Sequence, residues 1–177
     1  MRKKAFFTEP INCDVNDPDF LPAIVAETEF EKKRGVSNIE VRRGFAQVHV
    51  SDLEGDLVLE RLRVLRAIAD ADINIDFLKL TPSGLSFLAS EDRAETVKLA
   101  LAGAGVSFVA QKSRSIVLVH AVNMRDEEGL IASIVQAAIA SRAIVDHIGD
   151  MHDRLLMVLD SADAERLAAR LRKELVE

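Results

Sequence analysis

The feature that most constrains this chain is that it repeats itself. From Phe45 to Asp52 apolar and polar residues alternate as in a strand, and Leu53-Glu-Gly-Asp56 turns the chain. A helical stretch follows from Leu57 to Ala71, with Val58, Leu62, Leu65, Ile68 and Ala69 at three-and-four spacing and Asp56 placed to cap it. Ile73–Leu80 reads as a second strand, Thr81-Pro-Ser-Gly84 as a turn and Leu85–Ala89 as a third strand. Ser90 is then placed to cap a helix from Glu91 to about Leu101, which Gly103-Ala-Gly105 stops. The same order returns. Ser115–Val122 is a strand, and Asn123–Glu127 is a polar turn. A helix from Glu128 to Ser141 carries Ile131, Ile134, Val135 and Ala138 on one side. Ala143–Ile148 and Arg154–Leu159 form a hairpin around Gly149-Asp-Met151, and Ser161 caps a last helix bearing Leu167, Ala168, Leu171 and Leu175. His49 and His120 stand in similar Val-His contexts, and Ile75-Asp76 matches Val145-Asp146.

Two βαββα units give an α+β fold of antiparallel sheets with helices on one face. Such half-open sheets expose edges, which the units can protect by pairing side by side. The first helices carry more apolar width than one sheet face needs, with Val64 and Leu59 flanking one stripe and Ile139 the other. A homodimer is the expected way to cover it.

Composition narrows the function classes. The net charge of −6 and the absence of Trp and Tyr argue against a nucleic-acid partner, which needs clustered cations and stacking surfaces. The run Glu31-Lys-Lys-Arg34, with Arg42 and Arg43 after it, reads as a solvated linker. Cys13 is the only cysteine, so no intrachain disulfide forms and a reducing, cytoplasmic setting is expected. The opening Met1-Arg-Lys-Lys-Ala-Phe-Phe is too short in apolar residues for a signal peptide, and no stretch is long enough to span a membrane.

No catalytic constellation converges. Cys13 has acidic neighbours that disfavour its thiolate, and Gly103-Ala-Gly105 lacks the third glycine and following helix of a dinucleotide site. His147 and His152 flank a hairpin turn beside Asp146, Asp150 and Asp153, which reads as a polar hairpin end and not as a metal site with three or four convergent ligands. His49 and His120 read as structural or dimer-contact residues, and Arg61, Arg63 and Arg66 as a solvated helix face. Neither enzyme activity nor a cofactor is expected. Phe6, Phe7, Phe20 and Phe30 need burial, so residues 1–34 are expected to pack as an extension on the repeats or on a dimer mate.

Leu65-Arg-Ala-Ile-Ala-Asp-Ala-Asp-Ile-Asn-Ile-Asp76 resembles the end of the first helix and the second strand of ACT domains. The tandem resembles the regulatory region of aspartate kinases, and Gly35–Val41 resembles the strand that precedes the tandem there. The resemblance implies two ferredoxin-like units, 44–112 and 113–177, with 35–43 as a linking strand that completes the second sheet. It implies feedback control by a bound amino acid, typically lysine or threonine, in a cleft between the turn after strand one and the start of strand two. Free N–H groups at the helix start there suit a carboxylate. Carried onto this chain, the first site is Asp52, Leu53, Glu54, Gly55 and Asp56 with Ile73, Asn74 and Ile75. The second is Asn123, Met124, Arg125 and Asp126, through to Gly129, with Ala143, Ile144 and Val145. Where the family's turns carry Pro-Gly, this chain reads Glu54-Gly55 and Glu128-Gly129. The kinase domain itself is missing, which implies a stand-alone regulatory product. The alternative is a ligand-free module that docks on a separate enzyme.

Overall fold

A single antiparallel sheet of six strands, ordered β2-β3-β1-β4-β6-β5, organises the chain. The computed structural model describes residues 35–122, 124, 126–151 and 153–176, all within one unit, Lys33–Glu177. Expectations for residues 1–34, Asn123, Arg125 and His152 lie outside the described residues. The elements run β1 (Gly35–Val50), α1 (Leu57–Asp70), β2 (Phe77–Thr81) and β3 (Gly84–Ser90). After a 3₁₀ turn at Glu91–Arg93 come α2 (Ala94–Gly103), β4 (Phe108–Val122), α3 (Leu130–Ala140), β5 (Val145–Asp150), β6 (Arg154–Asp160) and α4 (Ser161–Leu175).

β1 and β4 are long because each serves both repeats. The second half of β1 pairs with β3 and with the start of β4, while its first half pairs with the end of β4, which also pairs with β6. Midway, each strand carries one extra residue, so the register shifts between Arg42 and Phe45 and again between Phe45 and Gln47. Gly44 (φ +85°) and Ser113 (φ +58°) lie at these bulges in the left-handed region. A bulge bends its strand. Here both bend together, and the helix-free faces of the two halves meet.

The register fixes which residues are equivalent. Phe45 pairs with Ser90 as Arg114 pairs with Asp160, and Arg42 faces Ile116 as Gln47 faces Gln111. First strands therefore match at an offset of 69 and the later hairpins at 70. On this footing the counterpart of His49 is Leu118, so the matching of His49 with His120 is corrected. Similar local sequence placed them two residues out of register, which keeps the same face and so escapes a period-two reading.

Three apolar clusters hold the fold. Val48, Val50, Leu85, Phe87 and Ala89 meet Val64 and Ile68 of α1 and Val97 and Leu101 of α2. Val117, Val119, Leu155, Met157 and Leu159 meet Ile134 and Ala138 of α3 and Leu167 and Leu171 of α4. Phe45, Leu88, Ile116, Leu118, Leu156 and Val158 fill the seam between the helix-free faces, with Phe77 against them.

Several local expectations change. The buried stripe of α1 is Val64 and Ile68, so Val64 is core and does not flank an exposed stripe, while Val58 and Leu62 are 63% and 43% exposed. Ser90 makes no side-chain cap; Glu91–Arg93 winds as a 3₁₀ turn before α2. Arg61 is not a solvated face residue. Its guanidinium donates to the carbonyls of Thr81 and Gly84 and pins the β2–β3 turn. Gly84 is required by proximity, because a Cβ there would lie 2.0 Å from the Val50 carbonyl oxygen.

Candidate functional site

Besides an open groove between α1 and α2, the first repeat presents two clefts at opposite ends of its sheet. At one end, the residues after β1 turn back toward the β2–β3 hairpin: the Leu53 amide donates to Ser83 O at 3.1 Å and the Ser51 amide to Ser107 O at 3.3 Å. Asp52 (φ +56°) accepts from the Ser51 hydroxyl at 2.8 Å, and Gly55 (φ +84°) completes the turn. Asp52, Leu53 and Glu54 line a cleft of about 380 Å³ with Glu60, Arg63, Gly105, Val106 and Ser107. Asp56 caps α1, its Oδ1 accepting the Val58 and Leu59 amides at 2.9 and 3.2 Å. Two N–H groups that the sequence reading held open for a ligand carboxylate are thus occupied by the protein's own carboxylate.

At the other end lies Asn74. Ile73 and Ile75 turn into the core, leaving Asn74 exposed between them. It lines a cleft of about 520 Å³ with Arg43, Gly44 and Phe45 of the β1 bulge, Asp72, Asp76, and Ser90, Asp92 and Arg93 of the 3₁₀ turn. The Arg93 guanidinium donates to the carbonyls of Ala71 and Asp72 at 3.0 and 3.3 Å, while Arg43 reaches Glu165 of α4 at 2.5 Å. The two halves of the first predicted site therefore do not share a cleft within one chain: β1 runs from one end of the sheet to the other, and α1 carries the chain back before β2 begins.

The second repeat is closed in both places. Met124 is buried in the core, Asp126 is exposed, and Gly129 (φ +77°) begins α3 without a side-chain cap. Ile144, 75% exposed, stands where the first repeat has Asn74, its amide donating to Asp163 Oδ2 at 3.3 Å. Ala143 and Val145 pack against the core. Arg114, the counterpart of Phe45, lies 3.4 Å from both Asp146 and Asp160 and fills the place that is a cleft in the first repeat.

The seam holds His147, read from the sequence as part of a polar hairpin end, together with Gln47 and Ser86, which no motif singled out. His147 Nε2 lies 2.9 Å from Gln47 Nε2 and 3.3 Å from Ser86 Oγ, and its ring stacks obliquely on Phe77 at 5.7 Å. Gln47 Oε1 and His147 Nδ1 are both buried there without a partner. Burial, then Lys79 and His49, lower its pKa, against an opposing pull from Asp146. Its counterpart is Phe77. Among the described residues no group of three or more His, Cys, Asp or Glu side chains is placed to hold a metal ion. No helix among them is long and apolar enough to cross a membrane. His120, half-buried, contacts Glu40 at 3.3 Å and so ties β4 to the first half of β1.

No protein-family model matches the chain, and no curated protein matches it. Solved structures do. The regulatory subunit of aspartate kinase from Thermus thermophilus, in its ligand-free form, superposes with a TM-score of 0.68 at 16% identity, covering 79% of this chain and 98% of that one. A structure of aspartokinase alpha and beta subunits gives 0.68 at 18% identity over 78% of this chain and 97% of the matched one. Aspartokinase III of E. coli, in complex with lysine and aspartate, gives 0.65 at 13% identity over 81% of this chain and 34% of that larger one. The chain has the α+β, ferredoxin-like tandem ACT fold of the regulatory part of aspartate kinases, without a kinase domain among its matched residues.

Proposed function

We propose that this protein is a regulatory, non-catalytic module that binds a free amino acid and transmits its presence through pairing with a second copy of itself. The observation that carries the reading is the splitting of the first repeat's two polar clefts to opposite ends of a sheet whose β2 edge is open. A two-fold axis that pairs β2 with β2 of a second copy, antiparallel, sets the Asp52–Asp56 end of one copy beside the Asn74 end of the other. The same edge is apolar: Leu78 and Leu80 on β2 are 43% and 57% exposed. The unpaired strand edge and this patch are what a second copy covers. A ligand that bridges both copies then favours the paired state. Likeness to an aspartokinase solved with lysine and aspartate supports an amino acid as that ligand. The setting is the reducing cytoplasm, and the pathway is amino-acid biosynthesis.

Thermal-shift screening against the twenty amino acids tests this, since a ligand at 100 times its dissociation constant adds about 2.7 kcal/mol. Absence of a shift with all twenty contradicts it. Sedimentation equilibrium is expected to give about 39 kDa, twice the 19.5 kDa chain.

A second reading, a ligand-free subunit that docks on a separate enzyme, draws on the likeness to a structure holding aspartokinase alpha and beta subunits. Recovery of a kinase with the tagged protein from its native cell, with no amino-acid response, favours that reading.

A further inference from the structure

The bend that brings the helix-free faces together also brings the sheet's two edge strands into contact, although β2 and β5 are not paired with each other. Phe77 stands on β2, and His147 and Gly149 stand on β5. The Phe77 and His147 ring centroids are 5.7 Å apart, and a Cβ on Gly149 would lie 3.6 Å from the Phe77 ring. His147 is the polar part of this contact. It reaches from the second repeat to Gln47 on β1 and Ser86 on β3 of the first, at 2.9 and 3.3 Å.

The surroundings suit a neutral ring and not a charged one. Ser86 is fully buried, and Val158, which faces His147 from β6, belongs to the buried apolar cluster. An imidazolium donates from both ring nitrogens. Nδ1 is buried without a partner, and an uncompensated charge in such a place is costly. Lys79 of β2 and His49 of β1 oppose a positive ring, while Asp146 of β5 itself favours one. That carboxylate is shared, since it lies 3.4 Å from Arg114 of β4. β3 carries no charged residue.

We propose that His147 is a proton-operated latch between the repeats: neutral, it holds the β5 edge against β2, and protonated, it releases that contact while both repeats stay folded. Release is confined to the rim. Leu88, Ile116, Leu118 and Val158 sit on β3, β4 and β6, which with β1 form one continuous run of paired strands. Burial holds the folded ring's pKa below the ordinary 6.5, so the closed contact is favoured above that value. The open contact gains as pH falls through the folded pKa.

NMR of the full chain between pH 8 and 5 tests it, with wild type set against His147→Gln, His147→Phe and His49→Gln. In wild type the NOEs between the Phe77 and His147 rings are expected to fade as His147 titrates, while helix amide shifts hold. Exchange at the amides of 77–81 and 145–150, corrected for the intrinsic effect of pH, should rise about threefold or more. His147→Phe installs the residue of its counterpart position. That exchange response should be lost in it and in His147→Gln, and kept in His49→Gln; if one of the two His147 variants does not fold at pH 8, the other decides. Four results overturn the latch: a response that persists without His147, one that vanishes with His49, one that spreads equally to the helices, or ring NOEs unchanged once His147 is fully protonated.

Discussion

The two repeats share a backbone and differ in what they do with it. At the place where the second repeat sets Arg114 between Asp146 and Asp160, the first sets Phe45, and Asp76 has the longer-range charge of Arg42 in place of an ion pair. Across the seam the roles reverse. Phe77 packs against the apolar seam cluster, whereas its counterpart His147 sits on Gln47 and Ser86. Duplication followed by such exchanges gives one half that satisfies its own charges and one that holds them open. The second repeat is the scaffold, and the first is the receptive half.

The largest expected effect separates the hairpins. Gly84→Ala forces a Cβ against the Val50 carbonyl, and a loss of about 3 kcal/mol or more in urea unfolding is expected. Its counterpart Arg154 already carries a long side chain, paired with Asp153 at 2.8 Å on the surface, and Arg154→Ala should cost under about 1 kcal/mol. Similar costs at the two positions would break the claim that only the first repeat brings its strands this close.

Next comes the scaffold charge cluster. Arg114→Met strips the cation from two partly exposed carboxylates, and about 1–2 kcal/mol of stability should be lost, less than for a fully buried pair.

The seam adds a pH dependence that belongs to one half only. His147 has a folded pKa below its ordinary value of 6.5, so the unfolded chain binds its proton first. Its contribution is fully present above about pH 6.5 and is lost as pH falls through the folded pKa. Gln47, Ser86, Lys79, His49 and Asp146 face the ring. His147→Gln is therefore expected to flatten most of the stability profile between pH 7.5 and 5. Asp153, held down to about 2 by Arg154, and Glu40, lowered by Arg42, act well below that window. The smallest effect is the cap: Asp56→Ala should cost about 1 kcal/mol, with no matching contribution at Gly129.

The repeat, the order of elements and the α+β class were legible because periodicity and turn residues report directly on burial. The long reach of β1 and β4 was less so. Residues 35–42 and 108–114 show little alternation, and it is the pairing of the first with the end of β4 and of the second with the end of β1 that extends the two strands. The apolar stripe of α1 was read as core because spacing gives the width of a face without its direction. Val58 and Leu62 are instead exposed, Leu62 along the groove toward α2, and Val64 and Ile68 do the packing. Of the carried-over site, Asn74 and the Asp52–Glu54 turn line clefts, but a linear resemblance could not reveal that one chain holds them apart. Asp92 and Arg93 carried no motif at all. Only the 3₁₀ turn brings them to the bulge.

Hydrogen exchange of the full chain, with and without a saturating mixture of the twenty amino acids, tests the division of labour most directly. The account predicts slowed exchange at 43–45, 52–56, 74–76 and 90–93, and no change at 126–129 or 143–146. Protection confined to 126–129 and 143–146 would contradict it.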